Sequence, residues 1–286
     1  MQESRIGIIG GSGLYDIEGI ENVESVEVKT PFGKPSDPYM VGKLEGKDVV
    51  FLPRHGKGHK ILPSELNFRA NIYGMKKLGV GYIIAVSAVG SLKEEIKPLD
   101  MVVIDQFIDR TKVRENTFFG NGVVCHTTFA DPICNSLASI IYESAKKVMP
   151  NVHKGGTYIC MEGPLFSTRA ESNLYRQWGG SVIGMTNLQE AKLAREAQIC
   201  YSTLAMATDY DCWHEEEEDV TVEMIIANLM KNVENAKKIL KESIKTIDAK
   251  RDCKCVHALK GALISQKDKI PQETKKKLDL IIGEYL

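Results

Sequence analysis

Short apolar runs closed by glycine, proline or charge alternate along this chain with longer segments whose apolar positions recur every three or four residues. The first pattern reads as buried strand and the second as amphipathic helix. Strands are predicted over residues 5–9, 23–29, 39–44, 48–53, 82–87, 101–105, 157–161, 182–185 and 201–208. Helices are predicted over 65–78, 132–148, 168–177, 188–197 and 221–247. The last has Thr221 as candidate N-cap and an apolar stripe of Val222, Ile225, Ile226, Leu229 and Val233. Strands that alternate with helices imply an α/β fold, a mixed central sheet flanked by helices. No long linker, low-complexity tract or internal repeat divides the chain. The reading is one domain over residues 1–247, followed by a helical carboxy-terminal extension over 248–286.

The chemistry-bearing residues gather where the predicted strands end, which is where α/β folds place ligands. The strand over 201–208 runs into Thr208, Asp209, Tyr210 and Asp211. Alternate strand residues share a face, so the two carboxylates project together. Neighbouring carboxylates in a crevice do not both ionise cheaply, and one tends to keep its proton. Such a pair can accept from an exocyclic amine and donate to a ring nitrogen. A solvated turn or a metal-ligating pair gives the same pattern.

Residues 6–13 (I-G-I-I-G-G-S-G) open a strand into a glycine-rich turn, whose N–H groups and Ser12 hydroxyl suit an anion. The spacing is neither a dinucleotide fingerprint nor a Walker A loop. After the strand over 48–53 come Arg54, His55 and His59. Arginine offers a planar fork to phosphate, and histidine can donate from either ring nitrogen when its partner is anionic. A metal on the two histidines is disfavoured, because intervening glycines argue against a helix and no third ligand is suitably spaced. The strand over 82–87 ends in Ser87, Ala88, Val89, Gly90 and Ser91, small residues with free backbone donors.

Taken in order, I-G-I-I-G-G-S-G, T-P-F-G-K-P-S-D from Thr30, R-H-G-K-G-H, N-F-R-A-N-I from Asn67, E-G-P-L-F-S-T-R-A-E-S from Glu162 and A-T-D-Y-D-C-W from Ala207 resemble the trimeric purine nucleoside phosphorylase family. The resemblance covers roughly residues 5 to 245. It implies phosphorolysis of 5′-methylthioadenosine to adenine and 5-methylthioribose 1-phosphate, in purine and methionine salvage. It implies a phosphate site of Ser12, Arg54, His55, Ser87, Ala88 and Thr186, with no carboxylate nearby to repel the anion. Met185 then lies beneath the ribose, while Phe166 and Ser167 contact the base. Asp209 and Asp211 read a 6-amino group, with Asp209 as general acid at N7. His59 and Val222 flank the 5′ substituent, and His126 belongs to the surface that completes a neighbour's site. No cofactor or metal is implied; phosphate is a co-substrate. A homotrimer or a dimer of trimers is implied. Leu165, Gly184 and the run Asn187-Leu188-Gln189 depart from the family pattern, which keeps a 6-oxopurine or methylthioinosine substrate open. A non-catalytic nucleoside-binding protein is the remaining alternative.

The 286 residues, 43% hydrophobic, suffice for one large core, and a net charge of −1 offers no global attraction to nucleic acid. The lysines between 267 and 277 alternate with acids and read as a solvated face. No apolar run reaches the length of a membrane span and no signal peptide is evident, so a cytoplasmic protein is expected. The seven cysteines are scattered. No C-x-x-C pair recurs, which argues against zinc. Cys253 with Cys255, or Cys134 with Cys200, are the candidate disulfides.

Overall fold

The computed structural model describes residues 4–11, 14, 17–214, 222–248 and 250–286, the side chains of 222–225 excepted. Ser12, Thr221 and the side chains of Val222 and Ile225 therefore lie outside the described residues. The strands are β1 (Arg5–Gly10), β2 (Glu21–Val26), β3 (Tyr39–Leu44), β4 (Lys47–Pro53), β5 (Val80–Ser91), β6 (Met101–Val103), β7 (Gln106–Arg110), β8 (Val152–Lys154), β9 (Thr157–Met161), β10 (Gly180–Gly184) and β11 (Cys200–Tyr210). The helices are α1 (Phe68–Lys77), α2 (Asn135–Val148), α3 (Arg169–Gln177), α4 (Asn187–Glu196), α5 (Val222–Thr246) and α6 (Gln272–Ile282).

All the described strands join one mixed sheet, ordered β2-β3-β4-β1-β5-β10-β9-β7, with β11, β6 and β8 branching from β5. The strand β5 is the hub. It runs parallel to β1 from Ile6↔Tyr82 and to β11 from Cys200↔Tyr82. At its far end β10 takes the place of β1, through Gly90↔Ile183 and Ser91↔Val182, while β11 stays paired as far as Tyr210↔Ser91. The sequence led us to expect a turn with free donors from Ser87 onward. The chain stays a strand through Ser91, because the exchange of neighbours gives those N–H and C=O groups new partners.

Pleating sends alternate residues of the central strands to opposite faces. Ile9, Ile83, Ala85 and Ala205 pack with α1, α4 and α6 on one face. Ile8, Ile84, Val86 and Leu204 pack with α2 and α5 on the other. Helices therefore cover both sides, which explains why these strands read as near-continuous apolar runs. The carboxy-terminal residues Leu259, Ala262, Ile270, Leu278 and Ile281 join the first core. On α6, Lys276 faces solvent while Lys275 and Lys277 are half-buried. Among the described residues, no helix is long and apolar enough to cross a membrane.

Candidate active site

A cavity of about 420 Å³ opens where β5 exchanges β1 for β10. That size is ordinary for a small-molecule site. Its wall includes Arg54, His55 and His59 after β4, Ser87, Ala88 and Gly90 on β5, and Met185 and Thr186 after β10. Phe166, Asp209 and Asp211 complete it, and Leu14, Met206, Leu229 and Val233 supply an apolar side. Most of the residues singled out in the sequence thus meet in one place, brought there by the ends of four different strands.

Arg54 is buried beside an equally buried acid. Its Nε donates to Glu190 Oε1 at 2.5 Å and its Nη2 to Oε2 at 3.1 Å. Further bonds run from Nη1 to the Val86 carbonyl and from Nη2 to that of Ile9. The expectation of an anion site without a carboxylate is wrong on this point. Glu190 lies on α4, 136 residues away, and its charge offsets the desolvation of the guanidinium. Burial works against the Arg54 charge, but Glu190 more than compensates and holds the group protonated. Four of the five guanidinium N–H groups are engaged, which leaves one Nη1 hydrogen for a ligand. Tyr201 donates to the same carboxylate and receives a bond from Asn187, so the orientation of the pair is fixed from behind.

Thr186 is the N-cap of α4, and its hydroxyl makes no cap bond to the helix backbone. The positive end of that helix therefore lies at the cavity wall beside Arg54, a favourable place for an anion. His55 departs from the sequence expectation. Its Nδ1 bonds the Ile61 carbonyl at 2.8 Å, so only Nε2 is left for a ligand. Burial pushes the imidazole down to about 4, with Arg54 and His59 adding to the effect. The ring is neutral near pH 7 and stacks on His59 at 4.3 Å.

Asp209 and Asp211 do project together, although not by simple alternation. A bulge falls between Ala207 and Asp209 where β11 follows β5. Both acids then crowd Gly90, where a Cβ would sit 3.3 Å from Asp209 Oδ2 and 3.4 Å from Asp211 Cβ. The bulge is held by α5, whose Asn228 and Asn232 donate to the carbonyls of Thr208 and Ala207. The Thr208 hydroxyl lies 2.5 Å from Asp209 Oδ1. Burial pushes the Asp211 carboxyl up, and the nearby Ser172 hydroxyl only partly opposes it. Asp211 Oδ2 is buried with no hydrogen-bond partner among the described residues. Such an atom implies a carboxyl that keeps a proton or awaits a donor from a ligand.

With that geometry in place, the comparisons with known proteins are decisive. A family model described as "Phosphorylase superfamily" matches residues 5–245. The chain belongs to the phosphorylase superfamily. It is 61% identical to the S-methyl-5′-thioadenosine phosphorylase of Geobacter sulfurreducens, over 99% of this chain and all of that one. It is 59% identical to the protein of that name from Koribacter versatilis, over 99% and 97%. A solved methylthioadenosine phosphorylase from an antarctic soil metagenomic library superposes with a TM-score of 0.93 at 48% identity, covering 98% and 99% of the two chains. The Schistosoma mansoni methylthioadenosine phosphorylase solved with adenine gives 0.82 at 40% identity, over 93% and 100%.

Other residues this phosphorylase-superfamily chain uses carry no sequence signal that we recognised. Arg114 is buried, bonds Glu162 at 3.0 Å, and also donates to the Met185 carbonyl. It thereby ties the E-G-P segment to the loop after β10. Gln189 accepts from Arg114 and donates to Thr111, so the departure at Asn187–Gln189 is a built polar network. The Ser167 hydroxyl bonds the Met161 sulfur, and Ser167 does not line the cavity. His126 does not line it either; its segment bonds Ala262. Phe166 is 66% and Leu165 84% exposed, so the rim beside the cavity is apolar.

Gly184, flagged as a departure, has a physical reason. A Cβ there would lie 2.0 Å from the Tyr158 hydroxyl, which is fully buried. The tyrosine occupies the space a larger side chain at 184 would need. Gly184→Ala is expected to lower stability by about 1–3 kcal/mol through overpacking, read from the midpoint of urea unfolding. An unchanged midpoint would mean that Tyr158 moves aside freely.

Proposed function

We propose that this chain cleaves S-methyl-5′-thioadenosine with phosphate, giving adenine and 5-methylthioribose 1-phosphate. The observation that carries this reading is the joining, in one cavity, of the acid pair over Gly90 with the buried Arg54 and the α4 N-terminus. Phosphate is held by Arg54, neutral His55, Ser87, Ala88 and Thr186, with Ser12 assigned to the same role from the sequence alone. A phosphate oxygen attacks the anomeric carbon as the bond to the purine breaks, with oxocarbenium character at the sugar. The bonding pair passes into the purine, and Asp209 gives N7 a proton. Asp211 accepts from the 6-amino group, and Phe166 packs on the ring. Met185 lies under the ribose, where a thioether meets developing positive charge. No metal or organic cofactor takes part in this scheme.

The 5′ methylthio group fits the apolar side made by Leu14, Met206, Leu229 and Val233. Val222 belongs to the same α5 face in sequence, two turns earlier. His59 borders this region from one chain. His126 reaches it from a neighbour in a homotrimer, a reading supported by exposed Val113, Val124 and Ile264. A cytoplasmic location is part of the proposal, in keeping with cysteines that are all unpaired.

The test is a panel of methylthioadenosine, adenosine, methylthioinosine and inosine, each with and without phosphate, scored by free base. Adenine from methylthioadenosine should appear only with phosphate. Adenosine should react more slowly by up to about a hundredfold, since an apolar pocket rejects a hydroxyl only modestly. Base release without phosphate, or faster release of hypoxanthine than of adenine, would overturn the proposal.

A further inference from the structure

Four of the seven cysteines, far apart in sequence, converge at the end of β11 opposite the acid pair. Cys200 is the first residue of β11, and Cys134 is the N-cap of α2. After α5, Cys253 is the N-cap of the 3₁₀ turn Lys254–His257 and Cys255 lies within it. The four Sγ atoms all lie within 4.8 Å of one another. Cys134 and Cys253 are 3.8 Å apart, and Cys200 and Cys253 3.1 Å. All four are free thiols, and three of them are buried.

We propose that Cys134, Cys200, Cys253 and Cys255 form a tetrathiolate site for a single zinc ion. The argument is geometric. Zinc–sulfur bonds of about 2.3 Å in a tetrahedron put neighbouring sulfurs about 3.8 Å apart. The four sulfurs form one closed set within 4.8 Å, in which Cys134 and Cys253 already stand at 3.8 Å while Cys200 and Cys253, at 3.1 Å, would move apart to admit the ion. An iron–sulfur cluster holds its thiolates farther apart, because bridging sulfides intervene. A four-sulfur set leaves no open position, which marks a structural rather than a hydrolytic metal. Softness of the donors selects zinc over magnesium or calcium.

The surroundings suit thiolates. Cys134 sits where the unpaired N–H groups of α2 begin, a place that favours a negative sulfur. Arg251, two residues before Cys253, is anchored nearby on the carbonyls of Gly81 and Gln198. Its charge offsets part of the excess negative charge of four thiolates around a dication. Binding displaces the four thiol protons and forms four Zn–S bonds, with no change of oxidation state. The ion would tie the carboxy-terminal segment to α2 and to the first residue of the strand whose other end carries Asp209. The expectation that zinc is disfavoured rested on C-x-x-C spacing, whereas these ligands come from three separate elements.

The test begins with the full-length protein purified without chelator from zinc-supplemented cells. Elemental analysis should give about one zinc per chain, and denaturing alkylation with intact-mass measurement should find every cysteine reduced. Cobalt(II) exchanged into the site should give the intense visible bands and thiolate charge-transfer of a tetrahedral S₄ centre. Cys253→Ser, at the least buried ligand, should bind metal about tenfold more weakly or worse, whereas Cys125→Ser outside the cluster should keep its zinc. A chelator should lower the melting temperature of the wild type but not that of Cys253→Ser. Substoichiometric zinc with no cobalt spectrum would overturn the proposal. So would a mass showing disulfides among these four residues.

Discussion

Arg54→Ala is expected to lose about 3–5 kcal/mol of stability and saturable phosphate dependence together, a larger effect than removal of one anion contact produces. A single charge-assisted hydrogen bond is worth about 1.5–3 kcal/mol, or roughly tenfold to a hundredfold in phosphate requirement. The structure adds a second cost. In the native chain Glu190 is 1% exposed; without the guanidinium its charge loses its cationic partner and keeps only the Tyr201 hydroxyl, and breaking a buried pair from one side costs about 3–5 kcal/mol. That stranded charge also repels the incoming dianion. The double variant Arg54→Ala/Glu190→Gln removes the stranded charge and should recover most of the stability but little of the activity. Urea midpoints and phosphate saturation curves of both variants decide the matter. Equal stability of the single and double variants would show that Glu190 is not paired in the way described. Unchanged phosphate saturation in either would remove Arg54 from the anion site.

Local pattern made much of this site legible, and non-local pairing hid the rest. The D-x-D at the end of an apolar run, the arginine after another, and the small residues ending a third are each visible because they sit beside a strong strand signal. Their convergence follows from the α/β rule that strand ends share one crevice. What sequence did not reveal is what faces each residue across the fold. Glu190 is 136 residues from Arg54, and Glu162 is 48 from Arg114. No spacing announces either pair. Asn228 and Asn232 read as ordinary polar positions on an amphipathic helix, yet they fix the bulge that aligns the acids.

The strands missed were those with the weakest pattern. Residues 106–110 of β7 have no fully buried member, and β8 is three residues long. Such segments are held by their neighbours in the sheet rather than by their own propensity. The opposite error occurred in β5, where small residues suggested a turn although pairing with β10 keeps the strand intact. The cysteines show the same limit. Cys253 and Cys255 are close in sequence, but Cys134 and Cys200 join them only through the packing of α2 and β11.

Asp209→Asn is expected to slow adenine release from methylthioadenosine by about 10²–10⁴, the range for losing a positioned general acid. The substitution preserves shape. The introduced amide oxygen can still accept from the Thr208 hydroxyl, which lies 2.5 Å from Oδ1 of the native carboxyl, while the amide NH₂ replaces Oδ2 over Gly90. The amide can donate a hydrogen bond to N7 or to a 6-oxo group, but it cannot deliver a proton. Methylthioinosine should therefore lose less than methylthioadenosine, and the ratio between them should shift by roughly 1–3 kcal/mol. The pH profile supplies a second readout. Burial raises the Asp211 carboxyl above its ordinary 3.8, so Asp211 retains a proton to higher pH than a free carboxyl does. Activity that needs this proton is present at low pH and lost as pH rises through the folded-state value of Asp211. Stability follows the same sign: the contribution is full below 3.8 and falls as pH climbs through the folded-state value. In Asp209→Asn the limb set by Asp211 should remain while the rate falls at every pH, because the residue that delivers the proton to N7 is gone. An unchanged rate with an unchanged base preference would mean that neither the proton nor the base is handled by Asp209.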